Sequence, residues 1–198
     1  MRKVILSMSV SLDGYFAGPD GEIDWSLMDD ELHAHINDQF RGMSAFLLGR
    51  VDYEMMAAFW PTADSDPSVT GSMKEFAGIW RETPKLVFSR TLERTGEESA
   101  ALRREVDPEE IRALKARPGG DMAVGGAMLA EAFRRHDLID EYRILVHPVL
   151  LGRGRPLLPP LEPPAARTPL RLAGTRTFGN GVVLLHHVRA DAAAPSEG

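Results

Sequence analysis

Three short segments place glycine, serine or arginine just where an apolar run stops, and those residue types suit phosphate. The first is Leu48-Gly49-Arg50-Val51-Asp52-Tyr53. Gly49 lets the backbone turn sharply, the helix that follows offers free N–H groups at its positive dipole end, and Arg50 adds a charge. The second is Phe88-Ser89-Arg90-Thr91, whose hydroxyl and forked guanidinium suit a phosphate monoester. The third is Val124-Gly125-Gly126-Ala127, where absent side chains let a pyrophosphate approach the amides. Any one of these is also what an ordinary tight turn looks like. Three at the carboxyl ends of strands match the anatomy of a dinucleotide, because open α/β sheets bind ligands at that rim. The G-x-G-x-x-G fingerprint of an ordinary Rossmann domain is missing.

The surrounding pattern supplies the elements that would hold these segments. Residues 3–12 alternate Ile5, Ser7 and Ser9 against Leu6, Met8 and Val10, which predicts a strand near the sheet centre. Asp13-Gly14 and Gly18-Pro19-Asp20-Gly21 mark a loop. A helix is expected from Asp29 or Asp30 with Leu32, Ile36 and Phe40 as its stripe, then a strand at 44–48 and a helix at about 51–59 stopped by Pro61. Residues 61–72 read as loop, followed by a short helix with Met73, Phe76, Ala77 and Trp80 on one side and a strand at 85–89. Asp107-Pro108-Glu109-Glu110 starts a helix, with an N-cap, a proline at the first position and a glutamate three residues on. A strand at 122–124 leads into a helix carrying Leu129, Ala132 and Phe133, and residues 141–151 read as one long strand bulged at Pro148. Residues 152–169 read as a Gly- and Pro-rich loop, and segments 170–177 and 181–189 as a closing antiparallel pair. Strands alternating with helices, then strands together, predict an α/β sheet with antiparallel C-terminal strands. One domain over 1–190 and a disordered tail over 191–198 are expected.

Composition bounds the partners. The 198 residues are 43% hydrophobic and 26% charged, ordinary for a globular chain. With no cysteine, disulfides, thiolate metal sites and a cysteine nucleophile are excluded. A formal charge of −6 without a basic stripe argues against nucleic acid. No stretch is long enough for a membrane span and the N-terminus lacks an apolar signal core, so a cytoplasmic protein is expected. His33 and His35 cannot share a helix face, and His186 and His187 point to opposite faces of a strand, so no metal site is expected.

The segments MRKVILSMSVSLDGYFAG, LLGRVDYE, KLVFSRT, DMAVGGAMLAEAF and LIDEYRILVHPVLLGRGRPLL resemble the dihydrofolate-reductase-like superfamily. They are most similar to the group holding the C-terminal reductase domain of the riboflavin-biosynthesis deaminase-reductase. The resemblance spans about residues 3–189. It implies a three-layer α/β sandwich around a mostly parallel sheet, NADPH as cofactor, and a homodimer formed through the later strands. In such proteins the turn matching Gly49-Arg50 and the helix from Val51 meet the cofactor phosphates. Ser89-Arg90 would meet the adenosine 2′-phosphate, and Gly125-Gly126-Ala127-Met128-Leu129 would wrap the pyrophosphate. Asp13 to Gly18, with Tyr15 and Ala17, matches a loop that closes over the nicotinamide.

That resemblance implies reduction of a small heterocycle, either a ribosylaminopyrimidine phosphate of the riboflavin type or a pterin as in folate reductases. A non-catalytic NADPH-binding protein is the alternative from another class. Deaminase activity is excluded, since its zinc domain needs cysteines. Asp30, among the crowded Asp29, Asp30 and Glu31, stands near where folate reductases carry their substrate carboxylate. Asp30 and Asp13 are the expected catalytic acids, although the helix-start acids also serve simply to favour the dipole. Tyr15 is expected to meet substrate, and Trp25 either meets substrate or anchors its loop. His147 either faces the pocket or is a hydrogen-bonded structural histidine. Arg153 and Arg155 either bind a substrate phosphate or sit in a solvated loop. Met55 and Met56 are expected as core filler.

Overall fold

The computed structural model describes residues 1–161 and 167–190. Its centre is an eight-stranded sheet in the order β5-β4-β3-β6-β1-β7-β10-β9. These strands are β1 (Val4–Ser11), β3 (Ala45–Gly49), β4 (Lys85–Phe88), β5 (Ala100–Arg103), β6 (Met122–Gly125), β7 (Glu141–His147), β9 (Leu170–Thr177) and β10 (Val183–Arg189). From β5 through β7 every pairing is parallel, and β10 and β9 join antiparallel. A separate two-stranded ribbon pairs β2 (Tyr15–Ala17) with β8 (Arg155–Pro156).

The alternation in β1 divides the two faces. Val4 and Leu6 pack with Leu47, Val124 and the helices α4 (Pro108–Ala116) and α5 (Ala127–Arg135). Across the sheet, Phe46, Leu48 and Ala123 meet Phe76 and Trp80 of α3 (Gly71–Glu82) and Tyr53 of α2 (Arg50–Phe59). Helix α1 (Asp30–Phe40) covers the β7 and β10 side through Leu32, with Ile36 packed against the same cluster. Three layers result, as a two-faced sheet requires.

Local chemistry explains most boundaries. Asp29 caps α1 by accepting from Leu32 N at 2.9 Å. Asp107 caps α4 through Glu109 N, but Glu110 does not close the expected capping box. It pairs instead with Arg103 at 2.8 Å, across the turn from β5. Three further expectations change. Residues Trp60–Ser65 form a 3₁₀ helix, since Pro61 at its start lacks the N–H that would extend α2 but fits a tighter turn. Strand β7 stops at His147, because Pro148 cannot donate to a neighbour. Strand β5 was unforeseen; its four residues Ala-Ala-Leu-Arg carry no alternation and are held by pairing with β4. The predicted tail over 191–198 lies outside the described residues, as do 162–166 of the Gly- and Pro-rich loop.

Lys85 is an interior device that periodicity does not reveal. Only 1% exposed at the start of β4, it donates to the Trp80 carbonyl and to Ser99 Oγ at 3.0 Å, and pairs with Glu97 at 3.0 Å. Glu97 in turn accepts from Trp80 Nε1. The charge is thus satisfied on every side, as a buried ammonium must be.

Candidate active site

The three breaks seen in the sequence stand along one rim. Leu48 is in register with Gly125, and Gly49 with Phe88, so the ends of β6, β3 and β4 are consecutive neighbours. Two of them converge on one side chain. A β-carbon added to Gly49 would lie 3.4 Å from Asp52 Oδ2, and one added to Gly126 only 2.1 Å from the same oxygen. Gly126 also has φ +86°, a conformation that L side chains rarely adopt. Helices α2 and α5 begin at these turns, and neither has a side-chain cap hydrogen bond. Their first amides therefore remain available to an anion.

Individual residues divide in role. Val51 is 65% exposed and lines the cleft described below, and Met128 is 86% exposed. Arg50 reaches along its helix to Glu54 at 3.2 Å. Ala127 and Leu129 are buried in core clusters, so only their backbone can face a ligand. Ser89 Oγ accepts from the amides of Thr91 and Leu92, which folds the turn after β4 and leaves its hydroxyl proton free to donate. Arg104 holds that turn by donating to the Ser89 and Leu92 carbonyls. Arg90 is exposed there, and its guanidinium has no hydrogen-bond or ion-pair partner among the described residues.

Beside this rim a cleft of about 420 Å³ opens between the sheet and the layer of α1, α2 and α3. Its floor is Ser7 and Ser9 of β1, Phe46 and Leu48 of β3, and Ala123 with Gly125 of β6. Phe40, Met55, Met56, Phe76 and Trp80 form the helical wall, and Phe16, Ala17, Ile23, Trp25 and Met28 the loop side. Met55, 52% exposed, is thus cleft wall rather than core filler, while Met56 both lines the cleft and packs against the core around Phe76 and Trp80. The charged residues on the lining are Asp52 and Arg155.

The acids expected from sequence serve elsewhere. Asp13 accepts from Ser11 Oγ and from the amides of Leu151 and Gly152, clamping two loops together. The Ser11 hydroxyl foremost holds its carboxyl below the usual range. Asp30 accepts from Ser72 Oγ at 2.7 Å, which likewise keeps it low. Glu31 pairs with Arg176 and accepts from Gly179 N. None of these three lines the cleft. Asp52, missed as an acid although it stands in a quoted motif, does line it, and desolvation pushes its carboxyl up. Spacing alone gives no sign of that burial, which arises where two separate turns close over α2.

Of the expected substrate residues, Trp25 is on the lining and Tyr15 is not. Trp25 also anchors its loop, since Nε1 donates to the Glu22 carbonyl at 3.2 Å. His147 is fully buried behind it, ring edge to ring at 5.4 Å. Its Nδ1 accepts from Leu27 N at 3.1 Å, so the neutral ring carries its proton on Nε2, and desolvation pulls its pKa down. Histidine 147 is therefore a support for the loop and its tryptophan. Among the described residues no group of three or more His, Cys, Asp or Glu could hold a metal, and no helix is long and apolar enough to cross a membrane.

Comparison with known proteins agrees with this architecture. Residues 2–184 match the RibD C-terminal domain. The chain is 34% identical over 188 residues to the uncharacterized protein YyaP of Bacillus subtilis (strain 168), covering 94% of this chain and 95% of that protein. YwjB of the same strain is 32% identical over 191 residues, 96% of this chain and 99% of that protein. Among solved structures, a putative riboflavin biosynthesis protein from Shewanella sp. PV-4 superposes with a TM-score of 0.69 at 20% identity, covering 96% of this chain and 99% of that one. A deaminase/5-amino-6-(5-phosphoribosylamino)uracil reductase from Thermotoga maritima gives 0.62 at 16% identity, covering 96% of this chain and 57% of that longer protein. Those structural likenesses carry the fold.

Proposed function

Because the chain belongs to the RibD C-terminal domain family, we propose that it is an NADPH-dependent reductase of a small heterocyclic substrate. The observation that carries this reading is the pair of uncapped helix starts at Gly49 and Gly126, side by side on the rim and adjoining a cleft. Their amides would hold the cofactor phosphates, and the absent side chain of Gly126 makes room for the Asp52 carboxyl between the two turns. Ser89 and Arg90, one strand further along, would take the adenosine 2′-phosphate. The cofactor supplies the hydride when bound; the protein orients the partners and excludes water.

A proton must accompany the hydride. Asp52 is the acid on the cleft lining, and burial raises its pKa, but its carboxyl lies against Gly126 where the phosphates would sit. The proton would therefore come from water rather than from Asp13, Asp30 or Asp52. A pterin substrate is disfavoured because the carboxylates at the start of α1 are engaged by Leu32, Ser72, Arg176 and Gly179. Family membership puts the riboflavin-type ribosylaminopyrimidine among the substrates to try, although the largely apolar cleft offers its ribosyl hydroxyls few partners. A homodimer through the later strands is part of this proposal, since the edge strand β9 exposes Leu170 and Leu172.

The test is to titrate NADPH by its fluorescence and then follow its oxidation with pyrimidine and pterin candidates. Binding followed by oxidation on addition of a heterocycle is expected. Tight binding without turnover on any of them would leave a cofactor-binding protein and end the enzyme reading.

A further inference from the structure

The lining of the cleft points to a substrate unlike a phosphorylated sugar. We propose that the substrate is a planar, largely apolar ring system carrying one acidic group, held with its ring among aromatic and methionine side chains and its acid on Arg155. This rests on the reductase reading for the role of the bound ring, but not for the binding itself.

The walls of the cleft suit a planar ring. Phe16, Trp25, Phe40 and Phe46 line the cleft, and Met55 and Met56 add polarizable, adaptable surface. The neutral side-chain hydrogen-bonding groups on the lining are the hydroxyls of Ser7, Ser9 and Ser26 and the indole N–H groups of Trp25 and Trp80. The Trp25 and Trp80 donors are already spent on Glu22 and Glu97. A ribosyl chain brings several hydroxyls, for which the lining offers only three serines as uncommitted neutral side chains.

Arg155 supplies the counter-charge for the acid. It lies on the lining, on β8, and strand pairing with Ala17 fixes its backbone. Its guanidinium stacks over Gly21, where a β-carbon would come within 3.5 Å of Nη1. It has no hydrogen bond or ion pair among the described residues. A placed, unpaired guanidinium beside an apolar cleft is complementary to a single oxyanion, carboxylate or phosphate.

The test uses the full chain and tryptophan fluorescence, since Trp25 and Trp80 are cleft walls. The probes are 2-naphthoate, 2-naphthyl phosphate, neutral 2-naphthalenemethanol and ribose 5-phosphate. Both naphthyl acids should quench and saturate, and ribose 5-phosphate should neither bind nor displace them. Arg155→Ala should weaken at least one acid by about tenfold while leaving the alcohol unchanged, which also shows that the variant is folded. If the loss falls on one acid alone, that acid names the oxyanion. Displacement of naphthoate by ribose 5-phosphate, or equal loss of acid and alcohol in the variant, would overturn the proposal. NADPH fluorescence is read separately: failure of the rings with NADPH binding intact sinks this inference alone, and the reverse sinks the reductase reading alone.

Discussion

Asp52 lies against Gly126, two residues from different strand-to-helix turns, with its Oδ2 in the place a β-carbon on that glycine would need. A carboxyl group therefore sits inside the cradle proposed for phosphates. Its desolvation raises its pKa, and no cation pairs with it among the described residues. The neutral acid tolerates a neighbouring polyanion and the carboxylate repels it. NADPH affinity should therefore weaken as pH rises through the Asp52 pKa. Asp52→Asn should remove that dependence and tighten binding by about tenfold on the alkaline side. Fluorescence titration at several pH values checks this; an unchanged slope in the variant would refute it.

The same group affects stability. A raised folded-state pKa means that the unfolded chain ionises first, so Asp52 destabilises the fold progressively as pH climbs above the unfolded value of about 3.9. Asp52→Asn should raise the melting temperature at neutral pH, and the gain should vanish below that value. Thermal melts across pH read it directly.

Gly126→Ala tests the cradle sterically. The residue would hold a positive φ and drive its methyl into Asp52. A cost of about 1–3 kcal/mol in stability is expected from the backbone alone. NADPH binding should be lost while far-ultraviolet circular dichroism stays native. Retained affinity would show that the β6–α5 turn does not touch the cofactor.

Arg90→Ala tests cofactor choice. Its unpaired guanidinium stands at the end of β4, next to the end of β3. Removing it should weaken NADPH about tenfold or more, with little change for NADH. Equal losses for the two nucleotides would remove Arg90 from the 2′-phosphate site.

Lys85→Met tests the interior. Glu97 would keep its charge without its buried partner, and the Trp80 carbonyl would lose a donor. A loss of about 3–5 kcal/mol is expected by denaturant unfolding, partly restored by adding Glu97→Gln.

The sequence by itself determined where the strands along the candidate rim end. Glycine and proline punctuation, the alternation in β1 and the caps at Asp29 and Asp107 are local signals, so they survive without knowledge of the fold. Together with the quoted motifs they place Gly49, Ser89 and Gly125 at strand ends. What only the tertiary structure decided is which side chains share a space. Asp13 and Asp30 look available in one dimension, yet each is consumed by a partner, Gly152 and Ser72, that the chain brings back from far away. Asp52, Met55 and Met56 look like ordinary helix residues until two turns and three helices close around them. Burial and long-range hydrogen bonding set a group's charge and reach, and neither is written in the spacing of a single segment.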